Sequence, residues 1–191
     1  MHSETTNVGD ICSVTIDRGA SYEESMVLKG TYQVECRDAS GVLKWTDVIG
    51  NLVTTAGKNS SMDTMLGNVA AGAVVMGLKG TGTAVVADTQ ASHASWSEVG
   101  LANAPTYSGT RKTPTFTTVT TANPAVLATA TAVVFTMTGS GNVAGAFINV
   151  GGSSTIDNTT GVLFSAGDFT GGSKTVSSGD TINVTYTLSA S

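Results

Sequence analysis

Charged side chains, cysteine, histidine and long apolar runs are all scarce in this chain of 191 residues. Charged residues make up 12% of it, about half of their share in an ordinary soluble domain. Apolar residues make up 40%, so the low charge does not indicate disorder, which combines low hydrophobicity with high net charge. Threonine and serine supply the polar groups instead. A surface so weakly charged is typical of proteins that meet other protein surfaces, and we expect a component of an assembly.

Two classes of partner are excluded by the charge balance and the apolar runs. The net charge of −5 and the pI of about 4.8 argue against nucleic acid, because a phosphate backbone needs clustered Lys and Arg and the best basic pair is Arg111-Lys112. The longest apolar run, residues 69–78, is about half of the length that spans a bilayer, so it predicts a buried strand. Residues 1–6 are polar, and we expect no signal peptide and no membrane.

Cysteine chemistry is also limited. Cys12 and Cys36 are the only cysteines, and no C-x-x-C spacing suggests zinc or redox chemistry. Whether the two pair is open at the level of the sequence. We predict two buried free thiols, in line with the usual burial of free cysteine.

The chain is mainly short β-prone runs separated by glycine-rich turns. This pattern predicts one domain, an antiparallel β-sandwich or jelly roll over residues 27–191. Runs 27–37 and 42–49 flank an Asp-and-Gly turn and predict a hairpin. Residues 181–188 alternate between apolar and polar, and a second hairpin is expected across the turn at 139–142. Further strands are expected at 73–79, 113–121, 130–138, 142–150 and 161–169.

One short helix is predicted over about residues 57–67. Polar residues that can cap a helix precede it, and apolar residues recur at the spacing of one helical face. These apolar residues are Met62, Met65, Leu66 and Val69. We expect the helix to cover an open sheet edge or an end of the sandwich.

Residues 1–26 differ from the rest and predict an extended N-terminal arm. They hold five acids and one base, and their apolar residues alternate in part. Such an arm adds a strand to a neighbouring sheet edge. A first strand of the chain's own sheet, or a frayed terminus, is an equally open alternative. The residues that we predict to contact a partner are Ile11, Val14, Ile16 and Tyr22.

No arrangement of residues predicts catalysis or metal binding. Asp88 and His93 lack a nucleophile on a defined turn, so hydrogen bonding is the better interpretation of His93. Glu35 and Asp47 could approach each other on the first hairpin, as glycoside hydrolysis requires, but salt bridges explain them better. Asp157 with its neighbouring Asn does not match the spacing of an EF-hand calcium loop. We therefore predict neither an enzyme nor a cofactor.

Several segments together resemble a recurrent pattern in small structural proteins of tailed-phage virions. The segments are 42–47, 51–57, 76–79, 87–98, 107–111, 144–147, 161–167 and 178–185. The resemblance runs from about residue 30 to the end, so it does not cover the arm. It implies a β-sandwich or jelly-roll capsid cement or decoration protein, located on the capsid surface and made in the host cytoplasm. It supplies no catalytic residues.

On this model the chain binds the major capsid protein and itself, as a homodimer or homotrimer. The alternative is a subunit of a tail or head fibre, an adhesin that presents loops to a host receptor. Exposed aromatic side chains near polar loops would favour the alternative, and Trp96 and Tyr107 are the candidates.

Overall fold

A computed structural model describes residues 26–191, so the predicted contact residues Ile11, Val14, Ile16 and Tyr22 lie outside the described residues. The described chain is a mainly β, antiparallel sandwich with one α-helix, as the sequence predicted. Its elements are β1 (Leu28–Arg37), β2 (Leu43–Gly50), β3 (Leu52–Val53), α1 (Thr55–Met65), β4 (Val74–Lys79), β5 (Glu98–Val99), β6 (Ala125–Ala128), β7 (Val133–Thr136), β8 (Gly141–Val143), β9 (Gly145–Val150), β10 (Val162–Asp168), β11 (Lys174–Val176) and β12 (Thr181–Ala190).

The strands form two main sheets and a short ribbon. The first sheet has the order β2-β1-β12-β6, and β7 also pairs with β12. The second has the order β3-β10-β9-β4-β5, and β8 pairs with β11 in the ribbon. The core lies between the two sheets, with Tyr32 and Ile182 from the first sheet and Met76 and Ile148 from the second.

Two predicted features of the first sheet are confirmed. β1 and β2 form the expected hairpin. The Asp38 carboxylate accepts hydrogen bonds from the backbone N–H groups of Ser40 and Val42 at 2.8 and 2.9 Å, which stabilises the turn. In β12 the alternation places Ile182 and Tyr186 inward, at 0% and 2% exposure.

Other expectations for the strands are wrong. Residues 113–121 form no strand and contribute a single bridge, Phe116 opposite Thr129. No hairpin crosses 139–142, because β7 pairs with β12 whereas β8 pairs with β11. β3, β6 and β11 form where no strand was expected. Partners in these sheets are distant in sequence, and Thr- and Gly-rich runs specify their register weakly.

The helix begins earlier than predicted, and its apolar face points outward. It spans Thr55–Met65, and the Thr54 hydroxyl accepts a hydrogen bond from the N–H of Gly57 at 2.9 Å. The helix packs on β10 through Gly57, where a Cβ atom would overlap the carbonyl oxygen of Phe164. The face of the helix that carries Gly57 is therefore buried, and the face that carries the large apolar side chains is left exposed. This exposed group continues past the end of the helix, since Leu66 is the C-cap and Val69 follows it. We call the group the helix surface: Met62, Met65, Leu66 and Val69, which are 56%, 63%, 78% and 53% exposed.

Candidate functional site

A buried ion pair lies where β5 meets the loops at 100–112 and 151–160. Arg111 Nε lies 2.9 Å from Glu98 Oε1, and Arg111 Nη2 lies 2.6 Å from Glu98 Oε2. The side chains of Arg111 and Glu98 are 0% and 2% exposed. The two parallel contacts are the bidentate geometry in which a guanidinium binds a carboxylate most specifically.

The same pair fastens a neighbouring loop. Arg111 donates hydrogen bonds to the backbone oxygens of Ser153 and Asn158 at 3.0 and 2.8 Å. Glu98 Oε2 accepts a hydrogen bond from the N–H of Asp157 at 2.9 Å. Asp157 itself has a φ of 63°, in the left-handed region. The pair therefore holds β5 and the 151–160 loop together and leaves neither charged group free.

Trp96 lies two residues before Glu98, packs against Phe147 and is 6% exposed. Its indole N–H donates a hydrogen bond to Asp88 Oδ2 at 2.9 Å. The His93 ring stacks on it with centroids 4.0 Å apart and an interplanar angle of 19°. His93 Nδ1 donates to the backbone oxygen of Trp96 at 2.9 Å. Asp88 and His93 thus both hold Trp96 in place, as the hydrogen-bonding interpretation of His93 predicted.

A second ion pair closes the end of β4. Lys79 has a side-chain exposure of 0%, and its Nζ lies 2.6 Å from Asp168 Oδ1. The ammonium group also donates to the backbone oxygens of Gly80 and Gly82. The glycine-rich run 77–83 is consequently the end of β4 and the turn after it, and the backbone oxygens of this turn bind the Lys79 ammonium group.

A hollow of about 420 Å³, lined by both polar and apolar groups, opens beside Trp96. The loop at 90–98, Asn103 and the turn at 157–159 line it. Glu98 lines it too, but its carboxylate is already bound by Arg111. The hollow offers amide, hydroxyl and backbone groups beside the side chains of His93 and Asp157.

The two acids considered for hydrolysis project from opposite faces of the first sheet. Asp47 lies opposite Val34, a buried position, whereas Glu35 follows Val34 along β1 and faces outward. Glu35 pairs with Arg37 at 2.5 Å, and Asp47 pairs with Lys174 at 3.2 Å. The hairpin therefore does not bring these two carboxylates together.

Asp47 is held in its charged form. Burial alone would raise the pKa of its carboxyl group, but two contacts lower that pKa on balance. The Thr170 hydroxyl donates to Oδ1 at 2.6 Å, and the Lys174 ammonium lies 3.2 Å from Oδ2. Asp47 thus joins β2 to the turn that precedes β11.

In the polar turn considered for calcium, side-chain oxygens already accept hydrogen bonds from backbone N–H groups. Asp157 Oδ2 accepts from the N–H of Ala102, and Asn158 Oδ1 accepts from the N–H of Thr160. Within residues 26–191, no group of three or more His, Cys, Asp or Glu side chains could hold a metal ion. Over the same range, no helix has both the length and the apolar character needed to cross a membrane.

The structure buries both aromatic residues that were considered for receptor contact. Trp96 is 6% exposed and Tyr107 is 3% exposed, and Tyr107 packs edge-on against Phe135 with centroids 5.1 Å apart. Sequence reasoning also missed the ion pair of Arg111, which it treated as half of a basic pair. Glu98 lies thirteen positions before Arg111, and no periodic pattern links the two.

No family model, no curated protein and no solved structure matches this chain. The resemblance of its sequence to phage virion proteins therefore stays a hypothesis. A functional proposal rests on that resemblance and on the contacts of the chain's own residues.

Proposed function

We propose that the chain is a structural protein of a phage particle, a capsid cement or decoration protein that stabilises the head. It binds the major capsid protein and further copies of itself, as a homodimer or homotrimer, on the capsid surface after synthesis in the host cytoplasm. The observation that carries the proposal is the helix surface, where four large apolar side chains are each more than half exposed. Clustered exposed apolar side chains mark sites of protein–protein contact.

The anchoring of the loops supports the same proposal. Buried ion pairs at Glu98–Arg111 and Lys79–Asp168 tie loops to strands. A body with loops fixed in advance loses little conformational entropy when it binds, so more of the contact energy appears as affinity. Copies bound around a head would then add stability by mass action.

The N-terminal arm, residues 1–26, is proposed to reach over neighbouring capsid subunits. Its proposed contacts are Ile11, Val14, Ile16 and Tyr22. Deletion of residues 1–26 is the direct test of this part. Unchanged occupancy and unchanged thermal stability of the particles would remove the arm from the proposal.

The alternative, a fibre or adhesin subunit, is favoured by the hollow beside Trp96, which could receive a receptor group. Copy number separates the two functions. Quantitative mass spectrometry of purified virions should find hundreds of copies in proportion to the major capsid protein. A handful of copies per particle would contradict the cement function and support the fibre.

A substitution in the helix surface tests the contact itself. Leu66→Asp places a charge on a side chain that is 78% exposed, so the fold should tolerate it. The number of copies of the chain bound per phage particle should fall. Val48→Asp is the matched control, because Val48 is 59% exposed on the outer face of the first sheet. Equal occupancy for the parent and Leu66→Asp, at unchanged melting temperature, would contradict a role for the helix surface.

A further inference from the structure

Lys79 and Asp168 lie at matching positions on two strands of the second sheet that are not neighbours. Both residues pair with Gly145 of β9 in the register of the sheet, Lys79 from β4 on one side and Asp168 from β10 on the other. Strands separated by a third strand lie about 9–10 Å apart. The Lys79 side chain nevertheless reaches across β9 and contacts the Asp168 carboxyl group.

The geometry of this contact is unusual for an ion pair. Lys79 Nζ lies 2.6 Å from Asp168 Oδ1, yet Oδ1 forms no hydrogen bond of normal geometry with any of the described residues. The hydrogen bonds of Nζ go instead to the backbone oxygens of Gly80 and Gly82. These two acceptors match the two hydrogens of a neutral amine, whose lone pair would then face the carboxyl group.

The surroundings favour reaction between the two groups. The Lys79 side chain is 0% exposed, and the Trp96 ring lies 5.5 Å from Nζ. A lysine amine that is shielded from water is an activated nucleophile. The N–H of Ala84 donates to Asp168 Oδ2 at 3.1 Å, which polarises the carboxyl group. Holding two reactants in contact can equal a local concentration of about 10⁵–10⁸ M when they are well oriented.

Two other lysine–aspartate pairs lack this combination. Lys44 Nζ and Asp180 Oδ2 lie 2.5 Å apart in a regular hydrogen bond, and the Lys44 side chain is 29% exposed. Lys174 Nζ lies 3.2 Å from Asp47 Oδ2, and the Lys174 side chain is 27% exposed. Water therefore solvates both of these ammonium groups. Among residues 26–191, Lys79 is the one lysine that is buried against a carboxyl group.

We propose that Lys79 and Asp168 form an intramolecular isopeptide bond after the chain has folded. Nζ transfers a proton to Oδ1 and then attacks Cγ, so that an Nζ–Cγ bond forms. The Cγ–Oδ1 bond breaks, and Oδ1 leaves as water with that proton and a second proton from Nζ. Oδ2 becomes the amide oxygen and keeps the N–H of Ala84 as its donor. The step consumes no other reactant.

The bond joins β4 to β10 across β9 and closes the long loop of chain between residues 79 and 168. Closing so long a loop covalently lowers the entropy of the unfolded chain and stabilises the fold. This inference goes beyond the proposed function and does not depend on it, because a cement protein and a fibre subunit would gain the same stability. Its test uses the isolated chain, whereas the proposed function is tested on virions, so either can fail alone.

The mass of the full-length chain, measured after denaturation, is the direct test. The parent should be lighter than its sequence mass by one water molecule. Lys79→Met and Lys79→Arg should both have their full sequence mass, and Lys79→Arg keeps a positive charge beside Asp168. Lys44→Met is the matched control, since it removes the lysine of another close pair, and it should still show the loss of one water molecule.

Two further readouts identify the bond itself. Tryptic mapping should find the peptides that contain Lys79 and Asp168 joined, with no cleavage after Lys79. The bonded chain keeps a closed loop in denaturant, so the parent and Lys44→Met should migrate faster in a denaturing gel than Lys79→Arg. An ion pair alone would not survive denaturation and would leave the three chains at the same position.

Three outcomes would overturn the inference. The first is a parent chain of full sequence mass. The second is a loss of water confined to a single peptide, which results when an aspartate cyclises with its own backbone. The third is a joined peptide that carries another lysine in place of Lys79.

Discussion

Replacement of Arg111 by methionine tests whether its ion pair holds the loops around β5. The guanidinium group makes four hydrogen bonds, two to Glu98 and one each to the backbone oxygens of Ser153 and Asn158. Among the described residues, the variant would leave the Glu98 carboxylate, 2% exposed, with the N–H of Asp157 as its hydrogen-bond donor. Removing one partner of a buried ion pair costs about 3–5 kcal/mol of stability.

A loss of that size is a large part of the stability of a domain, which is about 5–15 kcal/mol. For a chain of this length it corresponds to a fall in melting temperature of about 6–20 °C. Calorimetry and urea unfolding would measure it. Adding Glu98→Leu to Arg111→Met should recover part of the loss, because the double variant no longer buries an unpaired charge. With Glu98→Leu alone as the fourth protein, the parent and the three variants form a cycle that isolates the coupling free energy of the pair.

The exposed pair of Arg37 and Glu35 provides the control. Its side chains are 42% and 37% exposed, and pairs in water add little stability, so Arg37→Met should melt at the parent temperature. The reasoning would be refuted if Arg111→Met also melted at the parent temperature. It would be refuted equally if the double variant were less stable than Arg111→Met alone.

Two further predictions concern the helix and the response to acid. Gly57→Ala should destabilise the chain by about 1–3 kcal/mol in urea unfolding, because the added Cβ atom would overlap the carbonyl oxygen of Phe164. The pKa of Asp47 is lowered in the folded state, so its carboxylate stabilises the fold above about pH 4, and this contribution is lost as the pH falls through the folded pKa. The stability difference between the parent and Asp47→Asn should therefore narrow from pH 6 to pH 3.

Both predictions have sharp controls. Gly50→Ala adds the same methyl group where a Cβ atom meets nothing within 4 Å, and it should not destabilise the chain. Equal effects of Gly57→Ala and Gly50→Ala would contradict the close-packing explanation of the helix. For Asp47, a stability difference that stays constant between pH 6 and pH 3 would contradict the lowered pKa.

Local features of the fold could be predicted from the sequence, because their causes are local. In the turn at 38–41, the Asp38 carboxylate accepts hydrogen bonds from backbone N–H groups two and four residues further along the chain. A short stretch of sequence is enough to predict such a turn. The alternation in β12 likewise reports a strand with one buried face. The β-sandwich class follows from many such runs.

Long-range pairing could not be predicted. β7 pairs with β12 across more than forty residues, and neither run carries a side chain that selects the other. The helix face was misjudged for a different reason. Spacing of apolar residues normally identifies the buried face, but here the absent side chain of Gly57 sets the contact with β10.

Several of the few charged side chains in this chain are buried and have a structural role. Among residues 26–191, the structure buries six charged side chains: Asp47, Lys79, Asp88, Glu98, Arg111 and Asp180. Asp88 holds Trp96 and the other five form ion pairs, so these charges fasten loops and turns to strands. If the proposed function holds, contacts with a partner would involve neutral and apolar side chains such as those of the exposed helix surface.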